Sequence, residues 1–164
     1  MRWVALAALL FATLYWVLDL NKLHALEYQF DNGAMLQALA HVAKDGNAFD
    51  WAERESHWYV HDSWLLFVLV PFVKLHPYQE TIVIAQIIVV AGASIVLYLF
   101  ARTIGMYRTP AALLAVAYLI SPSVQGFAYA DFSESHFEPL LIFALAIAVA
   151  RRSLWGTPIF EVAL

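Results

Sequence analysis

Between Glu80 and Arg102 runs TIVIAQIIVVAGASIVLYLFA, twenty-one residues without a charge. A helix needs about 20 predominantly apolar residues to cross the hydrocarbon core of a bilayer. A backbone in that core must satisfy its own hydrogen bonds, which leaves the helix as the natural form for the run. The rest of the chain agrees: 63% of its 164 residues are hydrophobic and 13% charged, with a mean hydropathy of +0.69. Soluble domains carry roughly 25% charged residues, so these values indicate a membrane protein. Six Trp and eight Tyr suit the two bilayer interfaces, where such rings concentrate. Cysteine is absent, which excludes a disulfide framework and thiolate metal sites.

Five apolar segments are present. The first, Trp3 to Leu20, follows Arg2 and is long and aromatic, with no small-x-small cleavage site after it, so it reads as a retained signal anchor. The second, Trp64 to Leu75, holds only about a dozen residues and contains Pro71; it suits an interfacial or re-entrant helix. The third is Thr81 to Ala101, and the fourth, Pro110 to about Phe127, reaches spanning length if it continues through Ser121-Pro122. Phe137 to Ala150 is the fifth. With the second segment kept on the surface, four spans remain. Arg2, Arg102, Arg108, Arg151 and Arg152, five of the six arginines, then face the cytoplasm, as the positive-inside rule expects. Twelve of the thirteen acids, all but Glu161, fall outside. If the second segment crosses instead, the loop carrying Arg102 and Arg108 moves outside and breaks the rule.

The expected architecture is an all-α integral membrane protein with about four transmembrane helices and amphipathic juxtamembrane helices in a large first external loop, about residues 21–80. Residues 1–164 read as a single membrane domain, an N-terminal piece of a longer polytopic protein, because the chain ends in the apolar stretch SLWGTPIFEVAL. All six histidines lie on the outer side in this threading. Within the loop the spacing of Met35, Leu39 and Val42 against Gln37, His41 and Lys44 predicts an amphipathic helix over Asn32–Asp45, stopped by Gly46. The stretch after it, GNAFDWAERESHWYVHDS, reads as a polar, Trp-bearing connection.

Three clusters carry chemistry. In YQFDNGAMLQ, Asp31 caps the predicted helix through a free backbone N–H, or acts as a catalytic base or metal ligand at the membrane surface; the two roles are compatible, since a capping carboxylate keeps a free oxygen lone pair. Gln37 lies near the same helix end, where it can bond a polar ligand. In HWYVHDSW, the groups His57, His61 and Asp62 either hold a cation or sugar beside Trp58 and Trp64, or stay wet in an interfacial aromatic belt. In ADFSESHFEP, the acids Asp131, Glu134 and Glu138 and His136 lie between two spans; Pro139 suits the first turn of a helix, and Glu138 sits at the edge of a span, where ionisable groups tend to serve function. Gln86 and Ser94, on one helical face with Gly92 nearby, suit helix packing. Walker A, dinucleotide and G-x-S-x-G motifs and a basic nucleic-acid patch are missing.

Taken in order, YQFDNGAMLQALAH, HDSWLLFVLVPFVKL, QIIVVAGASIVLYLFAR, AALLAVAYLISPSVQG and DFSESHFEPLLIFAL resemble the bacterial and archaeal predicted membrane proteins of domain of unknown function 2079, over roughly Tyr28 to Arg152. That family is similar in layout to the GT-C glycosyltransferases, integral membrane enzymes that use polyprenyl-phosphate sugar donors. The resemblance implies a prokaryotic inner membrane, with the N-terminus cytoplasmic by the arginine distribution above, Asp31 as the catalytic or metal-binding acid, the metal being a divalent cation (Mg or Mn), and Asp131 as the second-loop acid. It implies substrate contacts from Gln37, His61, Ser63, Glu134 and His136. His61 and Ser63 match the family's His-x-Ser pattern with Asp62 in place of an aromatic, whereas the second loop departs from Asp-Phe-His-Pro-Glu at Ser133 and Glu134, with His136 displaced. Arg54 or Lys74 would pair with a donor phosphate or remain surface charges. The implied activity is sugar transfer from a lipid-linked donor; the alternative is a non-catalytic membrane scaffold or transporter-like protein. The bilayer is the expected partner, and nucleic acid is not.

Overall fold

A stripe of residues at helical spacing, Val4, Ala8, Phe11 and Tyr15, is buried along the first helix while Leu6, Leu9, Leu10 and Leu14 on its other faces are exposed. That division of one apolar helix into a packed stripe and an open surface is what a lipid-facing helix of a bundle presents. The computed structural model describes residues 1–27, 30–51, 54–56 and 64–151. It places α1 at Arg2–His24, α2 at Phe30–Asp45, α3 at Val70–Leu75, α4 at Gln79–Thr103, α5 at Arg108–Ile120, α6 at Pro122–Tyr129 and α7 at Glu138–Ala150. A 3₁₀ segment, Trp64–Leu69, leads into α3, and another, Glu134–Phe137, leads into α7.

The central member is α4, which packs against α1, α5 and α7. Its inner face is apolar and tight, with Ile82, Val83, Val90, Ala93 and Ala101 fully buried. Gly92 faces α7, where a Cβ would meet Leu140 Cδ1 at 3.4 Å, an ordinary contact. Chain direction follows from the contacts: Val4 clusters with Tyr98, Ala101, Ala111 and Ala115, and Phe11 and Tyr15 cluster with Val83, Ile87 and Val90. Hence α1 and α4 are antiparallel, and Arg2, Arg102 and Arg108 gather at one end of the bundle. The end that carries Asp19, Asp131, Glu134 and Glu138 is opposite. These are called the arginine end and the acidic end below.

Two helices, α1 and α4, are long and apolar enough to cross a membrane, and α5 with α6 makes a third if that pair, bent by 50°, counts as one span. The break lies at Ser121-Pro122: proline removes a backbone donor and disfavours helical geometry in the residue before it, and Ser121, extended at ψ 136°, accepts a hydrogen bond from Val124 N–H at 3.3 Å. The fourth expected span, α7, has 13 residues among those described, short of the ~20 a crossing needs. Its first part is taken up by the 3₁₀ turn, and Pro139 sits in its first turn. The apolar segment Trp64–Leu75 is likewise too short to count among the spans and lies against α2, where Leu66, Leu69 and Val73 join Met35, Leu39, Ile82, Phe132 and Phe137 in one cluster.

Helix α2 begins at Phe30, two residues earlier than the periodicity predicts, and Gly46 ends it at φ 72°, a left-handed conformation that glycine adopts without strain. The connection after α2 contains a small antiparallel ladder that the sequence reading did not anticipate, Phe49–Asp50 (β1) paired with Glu55–Ser56 (β2). Its anchors come from α2: Trp51 N–H donates to Gln37 Oε1 at 3.1 Å, and the His41 ring bonds Phe49 O through Nδ1.

Candidate functional site

The acidic end is assembled from three parts of the chain. The buried stripe of α1 continues past Tyr15 to Asp19 and Lys22, both buried. Lys22 Nζ donates to Asp131 Oδ1 and to Tyr129 O, each at 3.0 Å, and stands 5.0 Å from the centroid of the Tyr129 ring. Asp131 is thus paired with a lysine where both side chains are largely excluded from water, at 9% and 15% exposure. An isolated charge at such a position would be costly, and the pairing is what makes it tolerable.

Asn32, on the first turn of α2, is fully buried, and its Oδ1 accepts the backbone N–H of Phe132 at 2.6 Å. That bond joins the start of α2 to the loop before α7 across 100 residues of sequence. Asp31 and Asp131 each lie one residue from it. The two segments meet, while the carboxylates differ in surroundings: Asp31 is exposed on the first turn of α2, and Asp131 is held by Lys22. With the helix beginning at Phe30, Asp31 is the second residue of the first turn, two positions past the N-cap, where a carboxylate complements the helix dipole.

Behind Asp131 the loop is fixed by His136, which is 1% exposed and stacked on Phe127 with ring centroids 4.1 Å apart. Its Nε2 donates to Phe127 O at 2.8 Å, and its Nδ1 lies 3.1 Å from Ser133 N and 2.9 Å from Ser133 O. The neutral ring with its proton on Nε2 accepts from Ser133 N–H, whereas the charged ring donates to both the Phe127 and Ser133 carbonyls. Burial pushes the imidazole below its ordinary 6.5, against the raising effect of the hydrogen bonds to the Ser133 and Phe127 backbones and of Glu134. Gln86 is fully buried in α4, where Nε2 donates to Ala128 O and Ala130 O, each at 2.9 Å, capping the end of α6 beside the same loop.

The residues expected from sequence therefore divide. Asp31 and Asp131 lie on segments that meet. Gln37 faces the β1–β2 ladder, His136 is enclosed, and Glu134 is half-buried at the start of the 3₁₀ turn. His61 and Ser63, with His57 and Asp62, lie outside the described residues. Lys22 and Asn32 were missed. Lys22 was readable, since Lys22 and Asp19 continue the spacing of Val4, Phe11 and Tyr15; Asn32 carried no signal beyond its place next to Asp31.

No group of three or more His, Asp or Glu side chains that could hold a metal is found among the described residues. At Asp131 the lysine ammonium already takes the position a cation would occupy, so the described donors do not fit a metal centre. A cavity of about 550 Å3 lies between α3 and α4 and is lined by neither acid.

A family model described as "Predicted membrane protein (DUF2079)" matches residues 22–164. No curated protein and no solved structure matches the chain.

Proposed function

The chain belongs to the DUF2079 family of predicted membrane proteins, and from that premise we propose that it is part of a GT-C-like glycosyltransferase that uses a lipid-linked sugar donor. The observation that supports this reading is the Asn32–Phe132 hydrogen bond. It gathers an exposed acid at a helix start and a second, lysine-paired acid at one end of a membrane bundle, where a polyprenyl-phosphate headgroup would arrive. The distribution of arginines supports reading that end as the outer face, as the positive-inside rule expects.

In this role Asp31 is the base: solvent-exposed and at the membrane surface, it accepts the proton of the acceptor hydroxyl as that oxygen attacks the anomeric carbon and the donor phosphate leaves. Asp131, held by Lys22, positions the loop opposite. No step is routed through a cation. The test is sugar transfer by the full-length protein from polyprenyl-phosphate donors, comparing wild type with Asp31→Asn. Loss of a general base costs about 10²- to 10⁴-fold in rate; equal turnover by the two proteins would overturn the assignment and favour a scaffold without catalysis.

A further inference from the structure

The β1–β2 ladder is held from outside itself. Gln37 Oε1 accepts the backbone N–H of Trp51 at 3.1 Å, and the His41 ring bonds Phe49 O, so two side chains one turn apart on α2 fix the strand that leads into Trp51. A ladder whose strands are two residues long is marginal in water by itself, and these bonds supply what it lacks. What they hold in place is an indole in water: Trp51 is 68% exposed, although tryptophan is among the residues that gain most from burial. Phe49 meets its ring at 87° with centroids 5.2 Å apart, which braces the indole while most of its surface stays open.

The connection closes at Arg54. The register pairs Asp50 with Glu55, which makes 51–54 the turn, and Arg54 has φ 57°, a left-handed conformation that glycine or asparagine adopts with less strain. An exposed arginine there is not explained by the turn; its guanidinium brings five N–H donors to the end of the turn that begins with the indole. The sequence around the ring separates lipid from water. Residues 50–56 read DWAERES, three acids and an arginine around one aromatic side chain, and charges are costly in lipid. A braced aromatic face among hydrogen-bonding groups matches a pyranose. Such a sugar offers a face of positively polarised C–H groups to the negative face of the indole, and a rim of hydroxyls to side-chain donors and acceptors.

We propose that Trp51 and Arg54, set in position by Gln37, form a platform on which a pyranose ring of a glycan acceptor stacks. The proposal rests on the sugar-transfer reading for the purpose of that sugar. Gln37 lies six residues beyond Asp31 on α2, about 9 Å along the axis at 1.5 Å per residue, an interval that a disaccharide spans.

The test is fluorine NMR of the full-length protein, labelled with 5-fluorotryptophan and held in nanodiscs of dioleoyl phosphatidylcholine, with Trp51→Phe identifying the Trp51 resonance. Methyl β-D-glucopyranoside and methyl β-D-galactopyranoside are the probes; sorbitol, which has hydroxyls without the ring, is the control. At least one glycoside should shift the Trp51 resonance saturably at millimolar concentration, and sorbitol should not. Gln37→Ala, which frees the strand, should weaken that binding by about threefold or more, and Gln37→Glu, which keeps an acceptor for the Trp51 N–H, should retain it. Arg54→Gly, which relieves the turn and so spares the fold, should weaken it by about threefold or more. A Trp51 resonance that ignores both glycosides, or answers sorbitol equally, would overturn the proposal. So would unchanged binding in Gln37→Ala or in Arg54→Gly, or broadening of the resonance by 5-doxyl phosphatidylcholine, which would put the indole in lipid. The titration reads binding without turnover, so failure of the platform and failure of the sugar-transfer reading are seen separately.

Discussion

Truncating Lys22 to methionine would take the ammonium from Oδ1 of Asp131, whose side chain is only 15% exposed. Breaking a buried pair from one side is costly because the remaining charge stays out of water, whereas replacing both partners with apolar groups is often near neutral. We therefore expect Lys22→Met and Asp131→Leu each to lower unfolding stability by about 3 kcal/mol, and the double variant to lose less than either. Unfolding of the full chain in detergent, followed by circular dichroism, reads this; additive losses would show that the pair is not coupled. His136 makes a different claim on pH. Its folded value lies below the ordinary 6.5, so the unfolded chain takes up the proton first as pH falls. The stability it contributes is complete above about 6.5 and is lost as pH falls toward the lower folded value. The unfolding temperature of wild type should drop through that window, and His136→Gln should flatten the drop; an unchanged slope would remove the imidazole from the account. Of these residues Lys22 was legible, because its spacing from Tyr15 is helical. The enclosure of His136 depends on Phe127 folding back over it from the preceding helix, which no local pattern encodes.

At the scale of elements, Gln86 is the clearest case of one helix finishing another. Its amide supplies donors for two carbonyls at the end of α6, groups that a helix C-terminus leaves without internal partners. Gln86→Leu keeps the volume and removes both bonds. We expect a loss of about 2 kcal/mol, chiefly the cost of leaving the buried Ala128 carbonyl unmet, seen as a lower unfolding temperature, with Gln86→Glu no better because a carboxylate cannot donate. Helix ends set by local chemistry were legible where Gly46 stops α2 and Pro139 stands in the first turn of α7, whereas the four-span reading carried the fourth segment through Ser121-Pro122, where α5 breaks from α6. The β1–β2 ladder was not legible, since its anchors Gln37 and His41 lie a helix away and its strands are two residues long, too short for alternation to register.

For the whole molecule, the separation of arginines from acids was visible along the chain and reappears as two ends of one bundle. What sequence left open was which segments touch, and α4 decides that by packing against three other helices. Orientation can be tested cleanly, because the chain has no cysteine of its own. Asn47→Cys, exposed after α2, should react with a membrane-impermeant maleimide on intact cells, and Tyr107→Cys, 83% exposed between α4 and α5, only after permeabilisation. The reverse pattern would invert the threading and move Asp31 to the cytoplasm. The Lys22–Asp131 pair also bears on how such a chain is made. Its partners are 109 residues apart, which at ~5–20 residues per second of synthesis means roughly 5–20 s between them. The first helix is delivered to the membrane well before Asp131 is made, so this contact between the two forms only afterwards, and a ribosome stalled short of residue 131 would leave it unmade.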